Sequence, residues 1–186
     1  MTSFPVHTQD SAPDRAKPIL EGAQRAMGFV PNLYGTFAGS PALLEAYTAL
    51  SKAFDSTSFT ATERQVVLLT ASFENGCDYC MAAHSTIAGM QKVPADVVEA
   101  LREGAPIGEA RLDALANFTR IVVRERGWAS EDDIQAFLAA GFEQPQVLEV
   151  ILGVGMKTLS NYTNHVASTP LDAAFQPQAW SRPASV

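Results

Sequence analysis

Apolar residues recur at intervals of three and four positions along most of this 186-residue chain, between short groups of helix-starting and helix-ending residues. The segment from Pro41 to Phe54 shows this spacing clearly, and Ser40 before it has the form of an N-cap. Thr60 and Glu63 stand at capping-box spacing, and Asn75-Gly76 tolerates the left-handed conformation that ends helices. No segment shows the sustained alternation of a strand. The pattern predicts an all-α fold of about eight helices.

The length of the chain favours a single domain. We expect the helices to lie within residues 18–169, preceded by a flexible segment over residues 1–17. Residues 170–186 lack helical periodicity and are predicted to form an irregular tail. Within that tail, Phe175 and Trp180 are the residues expected to pin it to a neighbouring surface.

The longest apolar run, from Val147 to Met156, is too short to span a bilayer and contains Glu149. It belongs to a helix opened by Pro145 that is apolar on most sides, so this helix is predicted to be buried. The polar, proline-bearing first residues do not resemble a signal peptide. We therefore expect a cytoplasmic protein that does not bind membranes.

The composition indicates contacts between copies of the chain and argues against nucleic acid. Hydrophobic residues make up 47% of the sequence and charged residues only 18%, which suggests that apolar surface is buried between subunits. The net charge is −7 and no run of basic residues occurs, whereas phosphate binding requires clustered Lys and Arg. A homo-oligomer is predicted.

The two cysteines of the chain, Cys77 and Cys80, form a C-x-x-C-x-x-x-H motif with His84. At about 3.6 residues per turn the three side chains share one helix face. The Asn75-Gly76 stop places the cysteines at a helix start, where the helix dipole lowers the pKa of a thiol. His84 lies one turn further on and can exchange a proton with Cys80. The motif predicts dithiol redox chemistry.

Two alternatives remain open for the motif. The cysteines are either small buried core residues or half of a zinc site. Zinc would need a fourth ligand, which only Glu74, His165 or a partner subunit supplies. In a reducing cytosol a lone C-x-x-C is more often catalytic or metal-binding than a structural disulfide. We favour the redox interpretation, with no metal and no cofactor.

The segment from Glu63 to His84 resembles the signature of the carboxymuconolactone decarboxylase superfamily, in its alkylhydroperoxidase D-like branch. Further similarity lies in the segments 28–33, 40–45, 161–165 and 169–172. The resemblance implies an all-helical fold that assembles as trimers or hexamers. It also implies thiol-dependent reduction of organic or hydrogen peroxides, recharged by a dithiol donor such as a lipoylated or thioredoxin-like protein.

By the same resemblance, Cys80 attacks the peroxide, Cys77 resolves the product and His84 belongs to a proton relay. The family pattern has a Glu twelve residues before the first Cys, whereas this chain has Gln65, which cannot carry a proton. Glu74, three residues before Cys77, is the candidate substitute. Three hypotheses follow: a peroxidase, a non-peroxidase disulfide reductase or thiol redox sensor, and a helical assembly protein with an inert or zinc-holding cysteine pair.

Overall fold

The computed structural model describes residues 3–183, and this range contains nine α-helices, one 3-10 helix and no β-strand. The predicted all-α fold is confirmed. The α-helices are α1 (Lys17–Met27), α2 (Asn32–Phe37), α3 (Pro41–Asp55), α4 (Ala61–Glu74), α5 (Asp78–Met90), α6 (Ala95–Glu103), α7 (Ala110–Arg124), α8 (Glu131–Ala139) and α9 (Gln144–Ala167). The helix beyond the expected eight is α2, whose six residues are too few to show a periodic pattern.

The boundaries of α4 follow the local signals in the sequence. At its start the Thr60 hydroxyl accepts a hydrogen bond from the backbone N–H of Glu63, and the Glu63 carboxylate accepts one from the N–H of Thr60. This reciprocal pair is the predicted capping box. After its end, Gly76 has a φ of +64°, a left-handed conformation that glycine adopts without strain. The resulting turn leads directly into α5.

Helix α4 is the central helix of the fold, because it packs against α5, α6, α7 and α9 and is buried along most of its length. Helix α9 can approach it closely because Gly153 has no side chain. A Cβ atom at Gly153 would lie 2.7 Å from both the Phe54 ring and Val67 Cγ1. The close contact holds the following turn of α9, which begins the candidate site, against α3 and α4.

The C-terminal segment is partly regular and packs on the chain's own helices. Residues Ala173–Gln178 form a 3-10 helix, which the prediction of an irregular tail did not include. The Phe175 ring meets that of Tyr79 edge-on at 6.0 Å between centroids, and the Trp180 indole N–H donates to the Arg102 carbonyl at 2.8 Å. The two aromatic residues therefore fasten this segment to α5 and α6.

Membrane-spanning helices were searched for over the same residues. None of the helices between residues 3 and 183 combines the length and hydropathy needed to cross a bilayer.

Candidate active site

The turn between α4 and α5 positions both cysteines. Cys77 is the N-cap of α5 and its backbone N–H donates to the Ser72 carbonyl at 2.9 Å, while Cys80 lies in the first turn of α5. Both are free thiols, and each residue is only 1% exposed. The sequence motif is therefore a buried dithiol at the start of a helix, where unpaired N–H groups favour a nearby anion.

Four polar residues of α9 cover the dithiol from the opposite side. They stand at positions i, i+3, i+4 and i+7, so they form one stripe on the buried face of a largely apolar helix. Asn164 Nδ2 lies 3.2 Å from Cys80 Sγ and 3.7 Å from Cys77 Sγ. The stripe, which we call the α9 polar stripe, consists of Lys157, Ser160, Asn161 and Asn164, all buried.

The two thiols differ in their surroundings and so in their acidity. Burial by itself raises the pKa of Cys80, but a hydrogen bond from Cys77, the charge of Lys157 and the nearby Ser160 hydroxyl together bring it well below the usual value. The hydrogen bond to Cys80, together with burial, raises the pKa of Cys77. Cys80 is therefore the more acidic thiol of the pair, and Cys77 is the thiol that donates to it.

His84 lies next to Gln65 and is held in one orientation. Its Nδ1 is 3.1 Å from Gln65 Oε1, and Gln65 Nε2 in turn donates to Gln91 Oε1 at 3.1 Å. Burial, reinforced by the charge of Lys157, lowers the pKa of His84 well below its usual range. A neutral imidazole that donates from Nδ1 to Gln65 keeps Nε2 as a hydrogen-bond acceptor.

Glu74, the candidate substitute for the relay carboxylate, makes its contacts with two arginines of α7. Gln65 and Glu74 are nine residues apart on α4, so they project from opposite faces of the helix. The Glu74 carboxylate accepts from Arg120 Nε at 3.0 Å and from Arg124 Nε at 2.6 Å. Its role is a buried ion-pair cluster between α4 and α7. Glu63 likewise serves its capping box and pairs with Arg111.

Cys80 lines a cavity of about 200 Å³ whose wall is mainly aliphatic and aromatic. His84 and Lys157 also line it, so a molecule that enters the cavity meets the thiolate, an imidazole and an ammonium group. The aromatic residues of the wall are Tyr34, Tyr47, Phe54, Tyr79 and Phe175. Apolar walls with a few converging polar groups are typical of small-molecule sites.

Cys77 lines a different pocket, of about 290 Å³, to which Cys80 does not contribute. The wall is polar and includes Asp78, His165 and Thr169. The two cysteines therefore line separate spaces.

Comparison with known proteins gives a family match over part of the chain. Residues 41–120 match the model of the carboxymuconolactone decarboxylase family, and this range contains both cysteines, His84 and Gln65. The resemblance to the carboxymuconolactone decarboxylase superfamily that was inferred from the cysteine motif is confirmed over this range. A comparison with curated proteins gives no match.

Solved structures show that the chain has an AhpD-like fold. The alkylhydroperoxidase AhpD core of a peroxidase-related protein from Ralstonia eutropha JMP134 is 24% identical, with a TM-score of 0.82 over 92% of this chain and 93% of that one. A peroxidase-related protein from Silicibacter sp. TM1040 is 21% identical, with a TM-score of 0.80 over 95% and 94%. The debrominase Bmp8, as its C82A variant with 2,3,4-tribromopyrrole, is 18% identical, with a TM-score of 0.78 over 96% and 95%.

Three of the segments that carry the superfamily resemblance meet at Tyr79, inside the C-x-x-C motif. The Tyr79 hydroxyl donates to Asp172 at 2.5 Å and accepts from the N–H of Leu33 at 3.2 Å. Asp172 also accepts from the N–H of Asn32 at 3.0 Å. These three hydrogen bonds connect α2, α5 and the C-terminal segment, and so hold the residues around the cavity of Cys80 in place.

Metal ligands were also sought among residues 3–183, and no group of three or more His, Cys, Asp or Glu side chains is placed to bind an ion. Of the ligands considered for zinc, Glu74 is paired with arginines and His165 lines the pocket beside Cys77.

Proposed function

We propose that this protein is a thiol-dependent peroxidase that reduces organic or hydrogen peroxides through a Cys77–Cys80 dithiol cycle. The observation that carries the proposal is the pairing of a more acidic thiol, Cys80, with a resolving thiol, Cys77, where only Cys80 lines the aliphatic and aromatic cavity. A thiolate is the nucleophile that peroxides require, and an adjacent thiol prevents further oxidation.

The cycle begins when Cys80 attacks the outer oxygen of the peroxide. An S–O bond forms, the O–O bond breaks, and sulfur loses two electrons as an alkoxide leaves and is protonated to an alcohol. Cys77 then attacks the sulfenic sulfur, which forms the Cys77–Cys80 disulfide and releases water. An external dithiol reduces that disulfide and leaves as a disulfide itself.

The pocket beside Cys77 is the proposed approach for the dithiol donor. An incoming thiolate that attacks Cys77 forms a mixed disulfide there and releases Cys80 as the thiolate that the next cycle needs. A lipoylated or thioredoxin-like protein of the cytoplasm is the proposed donor class. The two peroxidase-related structures support the assignment at the level of fold.

A non-peroxidase disulfide reductase or thiol redox sensor is the second candidate. Gln65 favours it, because the position that the family pattern fills with a carboxylate holds a group that cannot relay a proton to His84. In that case the same dithiol exchanges with a protein disulfide, and Cys77 is its point of contact with the partner.

Turnover of cumene hydroperoxide with excess dithiothreitol tests the proposal, with Cys80→Ser as the comparison. A peroxidase consumes the hydroperoxide catalytically, and Cys80→Ser abolishes consumption because the serine hydroxyl stays protonated. If the wild-type protein shows no turnover while its disulfide still forms and is reduced in mass spectra, the reductase or sensor is favoured instead.

Assembly as a trimer or hexamer is part of the proposal. Helix α9 carries a second stripe, apolar and exposed, on the side away from the dithiol. Its members recur at heptad-like spacing with a glycine at the centre, a pattern that suits helix–helix contact between subunits. We call this the exposed α9 stripe, and it consists of Leu148, Ile151, Gly155, Tyr162 and Val166.

A further inference from the structure

Lys157 is a fully buried lysine in the middle of α9, and in the described part of the chain its Nζ has no hydrogen-bond partner. Unpaired ammonium groups are rare in protein interiors because burial of a charge carries a large desolvation penalty. Lys157 lines the same cavity as Cys80 and His84. The anion that balances it is therefore the Cys80 thiolate on the same cavity, whose formation the charge of Lys157 favours.

The peroxide reaction leaves one proton to be supplied. The alkoxide released when the O–O bond breaks is strongly basic and must be protonated inside the cavity. His84 is neutral in the resting site, and its Nδ1 faces Gln65, which neither gives nor takes a proton. The imidazole therefore serves as an acceptor, and the donor must be another group that lines the cavity.

We propose that Lys157 is a catalytic residue of this site, whose ammonium group holds Cys80 as a thiolate and then donates a proton to the oxygen that leaves. The inference rests on the proposed peroxidase function. Lys157 thereby takes over the proton delivery that the family pattern assigns to a carboxylate at the position of Gln65.

The protons balance over the whole cycle. Cys80 forms the S–O bond, and the alkoxide takes a proton from Lys157, which leaves a neutral amine and an alcohol. The Cys77 proton leaves with the sulfenic hydroxyl as water when the disulfide forms. Reduction by a dithiol returns two protons, one to Cys77 and one to Lys157 beside the regenerated Cys80 thiolate.

The other titratable groups that line the cavity are Asp55 and three tyrosines, Tyr34, Tyr47 and Tyr79. Burial raises the pKa of each tyrosine, so all three stay neutral phenols. Tyr79 already donates to Asp172, and the Asp55 side chain is largely exposed. Tyr47 is the alternative proton donor, and Tyr47→Phe is the control for it.

The first test measures the acidity of Cys80 without any peroxide. Iodoacetamide labelling of Cys80, read by peptide mass spectrometry between pH 4 and 10, gives the pKa of its thiol. In Lys157→Met we expect the midpoint to rise by about one unit or more, a tenfold slower labelling at the lower pH. Lys157→Arg keeps the charge and should keep the midpoint, as should Tyr47→Phe. An unchanged midpoint in Lys157→Met would show that Lys157 does not hold Cys80 as a thiolate.

The second test varies the leaving group. Peracetic acid releases acetate, which needs no proton, whereas cumene hydroperoxide releases a basic alkoxide. Single-turnover oxidation of Cys80 in Lys157→Arg should slow at least tenfold more with cumene hydroperoxide than with peracetic acid, because a guanidinium group does not give up its proton. If Lys157→Arg slows the reaction equally with both peroxides, Lys157 is not the proton donor. The same conclusion follows if Tyr47→Phe, instead, slows only the reaction with cumene hydroperoxide.

The two tests separate failure of the inference from failure of the proposed function. Wild-type protein that reacts with neither peroxide contradicts both the peroxidase assignment and the proton-donor role of Lys157. The labelling midpoint still decides whether Lys157 stabilises the Cys80 thiolate. Far-UV circular dichroism verifies the fold of each variant. If Lys157→Met does not fold, Lys157→Gln is substituted and read in the same two ways.

Discussion

Gln65 contacts His84 at the position where the family resemblance implies a carboxylate, and this one side chain determines how His84 behaves. An amide oxygen accepts a hydrogen bond from the neutral imidazole but adds no negative charge. Burial and the charge of Lys157 then keep His84 unprotonated. His84 is therefore an acceptor fixed in orientation rather than one member of a proton relay.

Gln65→Glu should restore a carboxylate beside His84 and raise the pKa of the imidazole, because a negative charge at hydrogen-bond distance stabilises the imidazolium. The measurement is an NMR titration of the histidine ring protons. In the wild type the His84 signal should not titrate down to well below pH 6.5. His7 and His165 serve as internal references in both proteins. A His84 signal that is unmoved by Gln65→Glu would contradict the geometry.

Cys77→Ser should leave a sulfenic acid trapped on Cys80 after one equivalent of peroxide, because the serine cannot displace it as a disulfide. Dimedone labelling and peptide mass spectrometry locate the adduct. The matched variant, Cys80→Ser, should show little labelling, since Cys77 has a raised pKa and does not line the peroxide cavity. The reverse result would exchange the two roles.

The sequence was sufficient to find the residues of the site that are close along the chain. Cys77, Cys80 and His84 share a face of α5, and Gln65 was identified through its distance from Cys77 in the family pattern. Lys157 and Asn164 were missed because they lie on α9, far along the chain from the thiols; Cys80 and Asn164 are 84 positions apart. The signal that points to them is a row of polar residues inside a helix predicted to be buried.

Helix α9 was predicted as a long buried helix, yet its two faces differ in function. One face carries the α9 polar stripe against the dithiol, and the other carries the exposed α9 stripe. Hydrophobic periodicity detects that such a helix is apolar overall but does not assign its polar residues to a face, because burial on several sides removes a clear period. For this reason helix existence was predictable and the orientation of α9 was not.

Gly153→Ala should destabilise the protein by roughly 1–3 kcal/mol, because the added methyl group overpacks the contact of α9 with Phe54 and Val67. It should also shift Lys157, one turn away, and slow the labelling of Cys80. Urea unfolding gives the free energy of unfolding. The control is Gly22→Ala in α1, where the new Cβ meets nothing within 4 Å and a gain of about 0.5–1 kcal/mol is expected. Equal effects of both substitutions would rule out the overpacked contact.

At the scale of the whole molecule, the site depends on segments from both ends of the described chain. Asp172 binds the Tyr79 hydroxyl and the start of α2, and Phe175 supplies part of the cavity wall. The C-terminal segment is thus a component of the site. The sequence predicted its aromatic anchors but not its contacts, since these involve residues 93 positions apart along the chain.

Ile151→Glu should reduce the size of the proposed homo-oligomer, because a carboxylate in the exposed α9 stripe would lose its hydration at a subunit contact. Light scattering during size-exclusion chromatography measures the mass. Trp128→Glu is the matched control, since Trp128 is 87% exposed and lies outside the stripe. If the wild-type protein is already a monomer, or if both variants change mass alike, the stripe is not the interface.

The isolation of the Lys157 ammonium has a consequence for the energy of the disulfide. When Cys77 and Cys80 are joined, no thiolate remains and Lys157 has given up its proton, so the attraction between ammonium and thiolate exists only in the reduced state. The reduced state is thereby stabilised relative to the oxidised one, so the reduction potential of the pair becomes less negative. Such a disulfide accepts electrons readily from a cellular dithiol, which suits a centre that is oxidised and reduced repeatedly rather than a permanent crosslink.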